Sequence, residues 1–454
     1  MHAVLFAVPL LLAAAGETPV TLDDALAAAA KANVDLRLAA TDRAAAGVEA
    51  YAAWAGVLPR LDLSANFGNN YIAPQVQNIS IPYIVTNPDG SQTIGYKYSL
   101  ETIPANDVES YMLGLSLQMP LFDGFQTWAN IEKTKLLVRA ADKQYDEASL
   151  NVAFDVTRSF YEVVRAERSL RVLEEAVTRS EELVRRTDAL FEAGRAPRAD
   201  TYAARVTLGN DRIAVEQQVS RVNDARVALS VALGRDADPT LQVVPPASLD
   251  RTAFSEPPPQ ADLVELAKQR RPLLSASEQR ILAARQELRA ANAGYWPSVS
   301  ASASYNRQGP YLGGPQGVYG DFTQQYVAVF GVSVNWNLFE GRLTSANVQR
   351  AHVSEDRARL QAEQSLQQVT SEIARARVAY RTLSASVTLA EENLYAARES
   401  LRLAQVRYEA GAASQVEIRD ALLNRTRAEL SLLQARIDAI VARADLNRAV
   451  GGVL

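Results

Sequence analysis

Apolar residues recur with a helical period along most of this 454-residue chain, and in four short stretches they switch to strict alternation. Leu61, Leu63, Ala65 and Phe67 alternate with Asp62, Ser64, Asn66 and Gly68; Val299, Ala301, Ala303 and Tyr305 alternate with Ser298, Ser300, Ser302, Ser304 and Asn306. Two return stretches do the same. Leu113, Leu115, Leu117, Met119 and Leu121 stand against Gly114, Ser116 and Gln118, and Phe330, Val332, Val334, Trp336 and Leu338 against Gly331, Ser333 and Asn335. The pattern predicts two hairpins, with strands of about 9 to 11 residues, the length that crosses a bilayer when tilted.

Between and after these hairpins the chain is helical by pattern and duplicated by spacing. Phe125 to Ala193 and Arg342 to Ala410 each run 69 residues (193 − 125 + 1 and 410 − 342 + 1) without Gly or Pro, which as unbroken helix is about 100 Å. The first is framed by Leu121-Phe122-Asp123-Gly124 and Phe191-Glu192-Ala193-Gly194, the second by Leu338-Phe339-Glu340-Gly341 and Tyr408-Glu409-Ala410-Gly411. Both frames are 217 residues apart (341 − 124 and 411 − 194), and Gly234 maps onto Gly451 with the same offset. Leu58-Pro59 maps onto Trp296-Pro297 with an offset of 238 (297 − 59), so the 21 extra residues fall between Pro59 and Leu121. One hairpin connection alone is lengthened, which points to a free surface. Within it Asn87-Pro88-Asp89-Gly90, flanked by Ile81 to Val85 and Thr93 to Tyr98, predicts a small hairpin of its own.

The expected organisation is a leader over residues 1–15, a first repeat over 16–238, a Pro-rich linker over 239–262 and a second repeat over 263–454. The first repeat holds strands at about 60–69 and 111–121, a long helix at about 125–193 and a return helix at about 196–233. The second holds strands at about 298–307 and 327–338, with helices at about 342–410 and 413–450. A return helix and a short helix before each hairpin together match the long helix in length, so each repeat supplies two helical lines and two strands.

Composition narrows the function. At 48% hydrophobic and 22% charged the chain is a folded protein, and a net charge of −5 with interspersed Arg and Glu offers no stripe to nucleic acid. Cysteine is absent, and His2 and His352 are too few and too far apart to build a metal site, so no enzyme and no cofactor is expected. Ala3 to Leu12 is a short apolar run followed by Ala13-Ala14-Ala15, the pattern of a secretory signal, although Met1-His2 lacks the usual basic residue. No other segment approaches the roughly 20 apolar residues of a membrane helix, so strands must do any spanning.

Four strands cannot close a barrel, and open sheet edges are not tolerated in hydrocarbon, so the chain must assemble with copies of itself. A dimer gives eight strands with a filled interior; a trimer gives twelve and a lumen, which suits the Ser- and Asn-rich faces better. Phe122, Trp128, Tyr295, Trp296, Trp336 and Phe339 cluster at the helix–strand junctions, where a membrane-interface belt belongs; plugging of a helix–sheet junction is the other reading. Pro59, Gly124, Pro297 and Gly341 mark the same junctions.

The duplicated helix–hairpin–helix order, the Leu58-Pro59-Arg60-Leu61 entry, the Leu-Phe-acid-Gly exits and the two aromatic-x-x-Gly turns together resemble the TolC family of outer-membrane efflux and export channels, over about 430 residues. The resemblance implies a mainly helical fold with a small β part: a long helical barrel, and four strands per chain entering a trimeric twelve-stranded transmembrane barrel. It implies the exit duct of a tripartite efflux or type I secretion system, partnered by a periplasmic adaptor and an inner-membrane pump of RND or ABC type. A periplasmic coiled-coil adaptor or scaffold is the alternative. By the same resemblance Asp200, Glu417, Asp420 and Tyr408 would form the periplasmic constriction. Phe191, Gly194, Arg195, Gly411 and Ala413 would be the tip turns where the adaptor docks. The family pattern has an arginine where this chain has Ala413, with Arg195 and Arg198 as nearby substitutes. Read from the residues alone, Asp200 and Glu417 equally suit helix N-termini.

Overall fold

The computed structural model describes residues 19–247, 254–323, 325–410 and 412–453. The expected leader over 1–15 and the turn residue Gly411 lie outside the described residues. In chain order the elements are α1 (Leu22–Ala32), α2 (Val34–Ala53), β1 (Arg60–Ile72), β2 (Gln75–Thr86), β3 (Gln92–Ile103) and β4 (Asn106–Phe122). Then come α3 (Gln126–Glu192), α4 (Arg198–Ala232), α5 (Gln260–Arg270), α6 (Pro272–Asn292), β5 (Ser298–Gly309), β6 (Tyr326–Asn335), α7 (Leu343–Glu409) and α8 (Gln415–Val450). Each Gly- and Pro-free segment is helical except for its first and last residue.

The duplication holds element by element. α1, α2 and β1 map onto α5, α6 and β5 at an offset of 238 (260 − 22, 272 − 34, 298 − 60), and α3 and α4 onto α7 and α8 at 217 (343 − 126, 415 − 198). Left-handed residues recur in step: Gly124 and Phe125 (φ 68° and 68°) match Gly341 and Arg342 (φ 62° and 70°), and Gly234 matches Gly451. α5 begins at Gln260, inside the stretch expected to be linker, because the Pro257-Pro258-Pro259 run ends in an extended Pro259 that serves as N-cap. β6 stops at Asn335, short of the expected 338, because the Trp336 indole leaves the ladder and donates to the Tyr295 carbonyl at 3.2 Å.

The chain forms two compact units. One comprises Met1–Val48, Lys135–Ala283 and Glu355–Leu454. Two of its cores are copies of each other: Ala25, Ala29, Leu36, Val152, Val156, Leu229 and Leu233 in one correspond to Leu263, Ala267, Leu274, Val369, Ile373, Leu446 and Val450 in the other. α1 is entered through a capping box, in which Thr21 Oγ1 donates to Asp24 Oδ2 at 2.6 Å and accepts from the Asp24 N–H. The Thr21 hydroxyl, and then its N–H, hold the Asp24 carboxyl below the usual carboxylate range. Asn33 Nδ2 donates to the Ala232 carbonyl at the end of α4. At the equivalent place in the second repeat (33 + 238 = 271) Arg271 donates to the Arg448 carbonyl and reaches Glu147 at 2.6 Å and Glu372 at 3.4 Å, itself only 2% exposed.

The other unit comprises Glu49–Thr134 and Ala284–Ser354. It is built on a four-stranded antiparallel sheet in the order β1-β4-β5-β6, with β2 and β3 forming a separate two-stranded sheet. The Asn87–Ser91 turn of that hairpin is as its residues predict: Gly90 has φ 82° and donates its N–H to Asn87 O, while the Ser91 hydroxyl and N–H hold the Asp89 carboxyl below its usual range.

Candidate functional site

Pairing register sorts the four-stranded sheet into two chemically distinct faces. Leu61↔Leu117, Leu63↔Leu115, Leu117↔Ala303, Leu115↔Tyr305, Ala303↔Phe330, Ala301↔Val332 and Val299↔Val334 set one continuous apolar face. Asp62↔Ser116, Ser64↔Gly114, Ser116↔Ser304, Ser302↔Gly331 and Ser300↔Ser333 set the other. Hydroxyls on that second face bond sideways: Ser300 Oγ lies 2.8 Å from Ser333 Oγ, and Ser298 Oγ donates to the Asn335 carbonyl. The apolar face is open, with Leu61, Leu63, Phe330, Val332 and Val334 exposed, and β1 and β6 each have one edge without a described neighbour. An exposed hydrophobic sheet face beside unpaired edges is unsuited to water.

Two aromatic levels bound this face. The first holds the residues singled out from sequence. Trp128 packs edge-on to Trp54 at 6.1 Å and Phe122 edge-on to Phe125 at 5.3 Å, while Trp296, Trp336 and Phe339 are exposed. Pro59 and Pro297 immediately precede β1 and β5. The second level was not foreseen: Phe67 meets Tyr111 at 5.0 Å, and Tyr305 stacks on Tyr326 at 5.4 Å. Its signal was the aromatic residue at the far end of each alternating strand. From Trp336 to Tyr326 is ten residues, about 25 Å along the normal for a strand tilted by about 40°, the height of an outer-membrane apolar band.

The Leu-Phe-acid-Gly motif gains a physical role. Asp123 accepts from the Thr127 N–H at 2.8 Å and hydroxyl at 2.5 Å, and Glu340 accepts from the Thr344 hydroxyl. These carboxylates cap the starts of α3 and α7, and the two threonines lie against Gly56 and Gly294 just ahead of β1 and β5. Gly124 is buried against the Ala293 carbonyl and Trp296, whereas Gly341 faces open space.

In the helical unit the two helix-hairpin turns share one backbone bond at matching positions. Gly194 (φ 71°) donates to Phe191 O, and the Arg195 N–H to Leu190 O at 2.8 Å; 217 residues on, the Ala412 N–H donates to Arg407 O at 2.8 Å. Phe191 and Arg195 are exposed. Leu183, Ala204 and Ile418, with Tyr408 and Leu422 against them, tie the two hairpins together near these turns, and the Arg186 guanidinium lies 5.7 Å from the Tyr408 ring. Tyr408 is thus a packing residue as well as a turn marker. Buried Gln415 donates to Thr187 Oγ1 at 3.0 Å and to the Asp200 carbonyl at 3.3 Å, a link between hairpins that local pattern could not reveal.

The three carboxylates differ in their surroundings. Glu417 sits in the first turn of α8, its N–H capped by Ser414 Oγ, and its carboxylate is 3.3 Å from Arg407. Arg407 also donates to the Ala412 carbonyl, and neither Arg195 nor Arg198 forms a described ion pair there. Asp420 is 3.2 Å from the adjacent Arg419. Asp200 lies in the first turn of α4, and among the described residues no cation pairs with its carboxylate. Among the described residues no three His, Cys, Asp or Glu side chains gather as a metal site and no helix is long and apolar enough to cross a membrane.

Comparison with known proteins agrees with this geometry. The chain is 25% identical over 301 residues to the toluene efflux pump outer membrane protein TtgC of Pseudomonas putida, covering 65% of this chain and 60% of the relative. It is 23% identical over 378 residues to the outer membrane efflux protein BepC of Brucella suis, covering 83% and 80%. The open-state MtrE outer membrane channel of Neisseria gonorrhoeae has the same fold, with a TM-score of 0.75 at 21% identity over 95% of this chain and 89% of that one. The model of the outer membrane efflux protein family matches residues 25–235 and 263–452, nearly the whole described chain and both repeats, and the chain belongs to that family.

Proposed function

We propose that this chain assembles as a homotrimer in the outer membrane and serves as the exit duct of a tripartite efflux system, with a periplasmic adaptor and an inner-membrane pump as partners. The observation that carries this reading is the four-stranded sheet with one apolar face, one hydroxyl-rich face and two unpaired edges. Three copies bring twelve strands, pair every edge, turn the apolar faces to lipid and leave a water-filled lumen lined by Ser, Asn and Gly. We assign the periplasmic part of the duct to the helical unit. A periplasmic adaptor that never enters a membrane has no use for such a sheet. Relatives named for toluene and antibiotic efflux favour small-molecule cargo over secreted polypeptides.

The helix-hairpin turns around Phe191, Gly194, Arg195, Gly411 and Ala413 are then the adaptor-docking tips. In a trimer Asp200, Glu417 and Asp420 form three rings of acids at the entrance, with Tyr408 packed behind them. Because Glu417 faces Arg407 and Asp420 faces Arg419, the Asp200 ring, with no cation pairing it among the described residues, contributes most of the field on passing cations. In planar bilayers the protein should form cation-preferring channels, and Asp200→Asn should lower that preference more than Glu417→Gln or Asp420→Asn. An unchanged reversal potential in all three would reduce these acids to helix caps. Capture of the native partners with the affinity-tagged chain identifies the pump, and recovery of the chain solely from the soluble periplasm would overturn the duct itself.

A further inference from the structure

The lengthened connection continues one long ribbon. Ile72 pairs with Asn106 at the end of the β1–β4 ladder and Gln75 with Ile103 at the start of the β2–β3 ladder, so the register counts straight through the gap. That register sets Pro74 opposite Pro104. Neither proline has an N–H to donate, so the rung they share cannot be hydrogen-bonded, and the ladder lapses over it and the adjoining Ala73–Ala105 rung without losing register. Beyond it β2 and β3 extend twelve rungs, about 40 Å, as a two-stranded sheet with no described strand on either side.

Toward and beyond the proline rung one face turns from polar to apolar. Even-numbered positions of β1 and β4 carry Asp62, Ser64, Asn66, Gly114 and Ser116, the polar side of the four-stranded sheet, and then Met112, Val108 and Ile72 among asparagines as the rung is approached. Even-numbered positions beyond the prolines carry Val76, Pro82, Ile84, Ile94, Tyr96, Tyr98 and Leu100. Apart from Pro82, these side chains are between 62% and 74% exposed. Every other residue on that face is Asn, Ser, Thr or Gln; the charges Lys97 and Glu101 lie on the odd-numbered face. There Tyr83 lies across Gly95, whose Cβ would come within 2.9 Å of the ring, so part of the odd face covers itself. The even face has no such cover, and an isolated two-stranded hairpin is marginal in water.

We infer that the even-numbered face of the β2–β3 hairpin packs against the same face of other copies of this chain, closing the outer mouth of the duct. The inference rests on the trimeric reading above. A second copy is the fitting occupant for two reasons. The hairpin is continuous with β1, whose open edge already calls for a copy, and the face is free of charge, so identical surfaces meet around a symmetry axis without repulsion. The unbonded Pro74–Pro104 rung supplies the bend that tips the hairpins inward.

The chain has no cysteine, so single-cysteine variants report cleanly. In intact outer membranes, Tyr98→Cys and Ile94→Cys on the even face should give several-fold more covalent dimer on oxidation than Lys97→Cys on the odd face. Replacing residues 76–102 with a two-residue turn should raise single-channel conductance. An assembled oligomer that cross-links equally from both faces or from neither, cross-links into a different envelope component, or keeps its conductance when the hairpin is shortened would overturn this inference and leave the duct intact. A chain that remains monomeric after gentle extraction would overturn both readings.

Discussion

At the scale of single residues the duplication offers matched experiments inside one molecule. Gly124 and Gly341 hold equivalent left-handed positions at φ 68° and 62°, so an alanine at either meets the same backbone penalty, about 1–2 kcal/mol. Their surroundings differ. A Cβ on Gly124 would sit 2.8 Å from the Ala293 carbonyl oxygen, which is backbone and cannot swing away, whereas a Cβ on Gly341 meets nothing within its own chain. Gly124→Ala should therefore destabilise by about 3 kcal/mol or more and Gly341→Ala by no more than about 2 kcal/mol, the difference being steric overlap. Thermal unfolding of the two purified variants checks this, and equal shifts would mean either that the close approach around Gly124 is relieved elsewhere or that a neighbouring copy closes on Gly341 in the assembly.

At the scale of elements, what could be read from the chain was whatever its local period carries. Alternation in Leu113 to Leu121 and the absence of Gly and Pro from Phe125 to Ala193 need no partner to be seen. The second aromatic level was hidden because only pairing register brings Phe67 to Tyr111 and Tyr305 to Tyr326. Gln415 and Thr187 meet across 228 residues of chain, and Arg407 reaches Glu417 only because the turn between them folds back. The same limit applies to Arg271, which in sequence is one arginine among many. In the fold it ends α8 as Asn33 ends α4, and it also neutralises Glu147 and Glu372. Giving the second repeat the residue of the first, Arg271→Asn, would leave two nearly buried carboxylates without that cation, at a cost of about 3–5 kcal/mol. Asn33→Ala removes one buried hydrogen-bonding side chain and should cost about 1–3 kcal/mol. Chemical denaturation of both variants checks the order, and a milder loss from Arg271→Asn would show that Arg448, 3.6 Å from Glu372, takes over the charge.

At the scale of the whole molecule, adjacent residues of one strand should meet two different solvents. Val332 pairs with Ala301 on the apolar face and Ser333 with Ser300 on the hydroxyl-rich face, near the middle of the band between the two aromatic levels. If the apolar face meets lipid, an arginine at Val332 must be carried into hydrocarbon, a penalty of about 2–4 kcal/mol per copy near the bilayer midplane. In the proposed trimer that penalty is paid three times, so Val332→Arg should sharply reduce the heat-resistant assembled form recovered from outer membranes. Ser333→Arg places the same charge in the water-filled lumen, where it should leave assembly intact and shift the channel's preference toward anions. The pair separates the orientations. Were the hydroxyl-rich face turned to lipid instead, Ser333→Arg would be the variant that fails to assemble. If both variants assembled with unchanged conductance, the sheet would not be the wall of a channel.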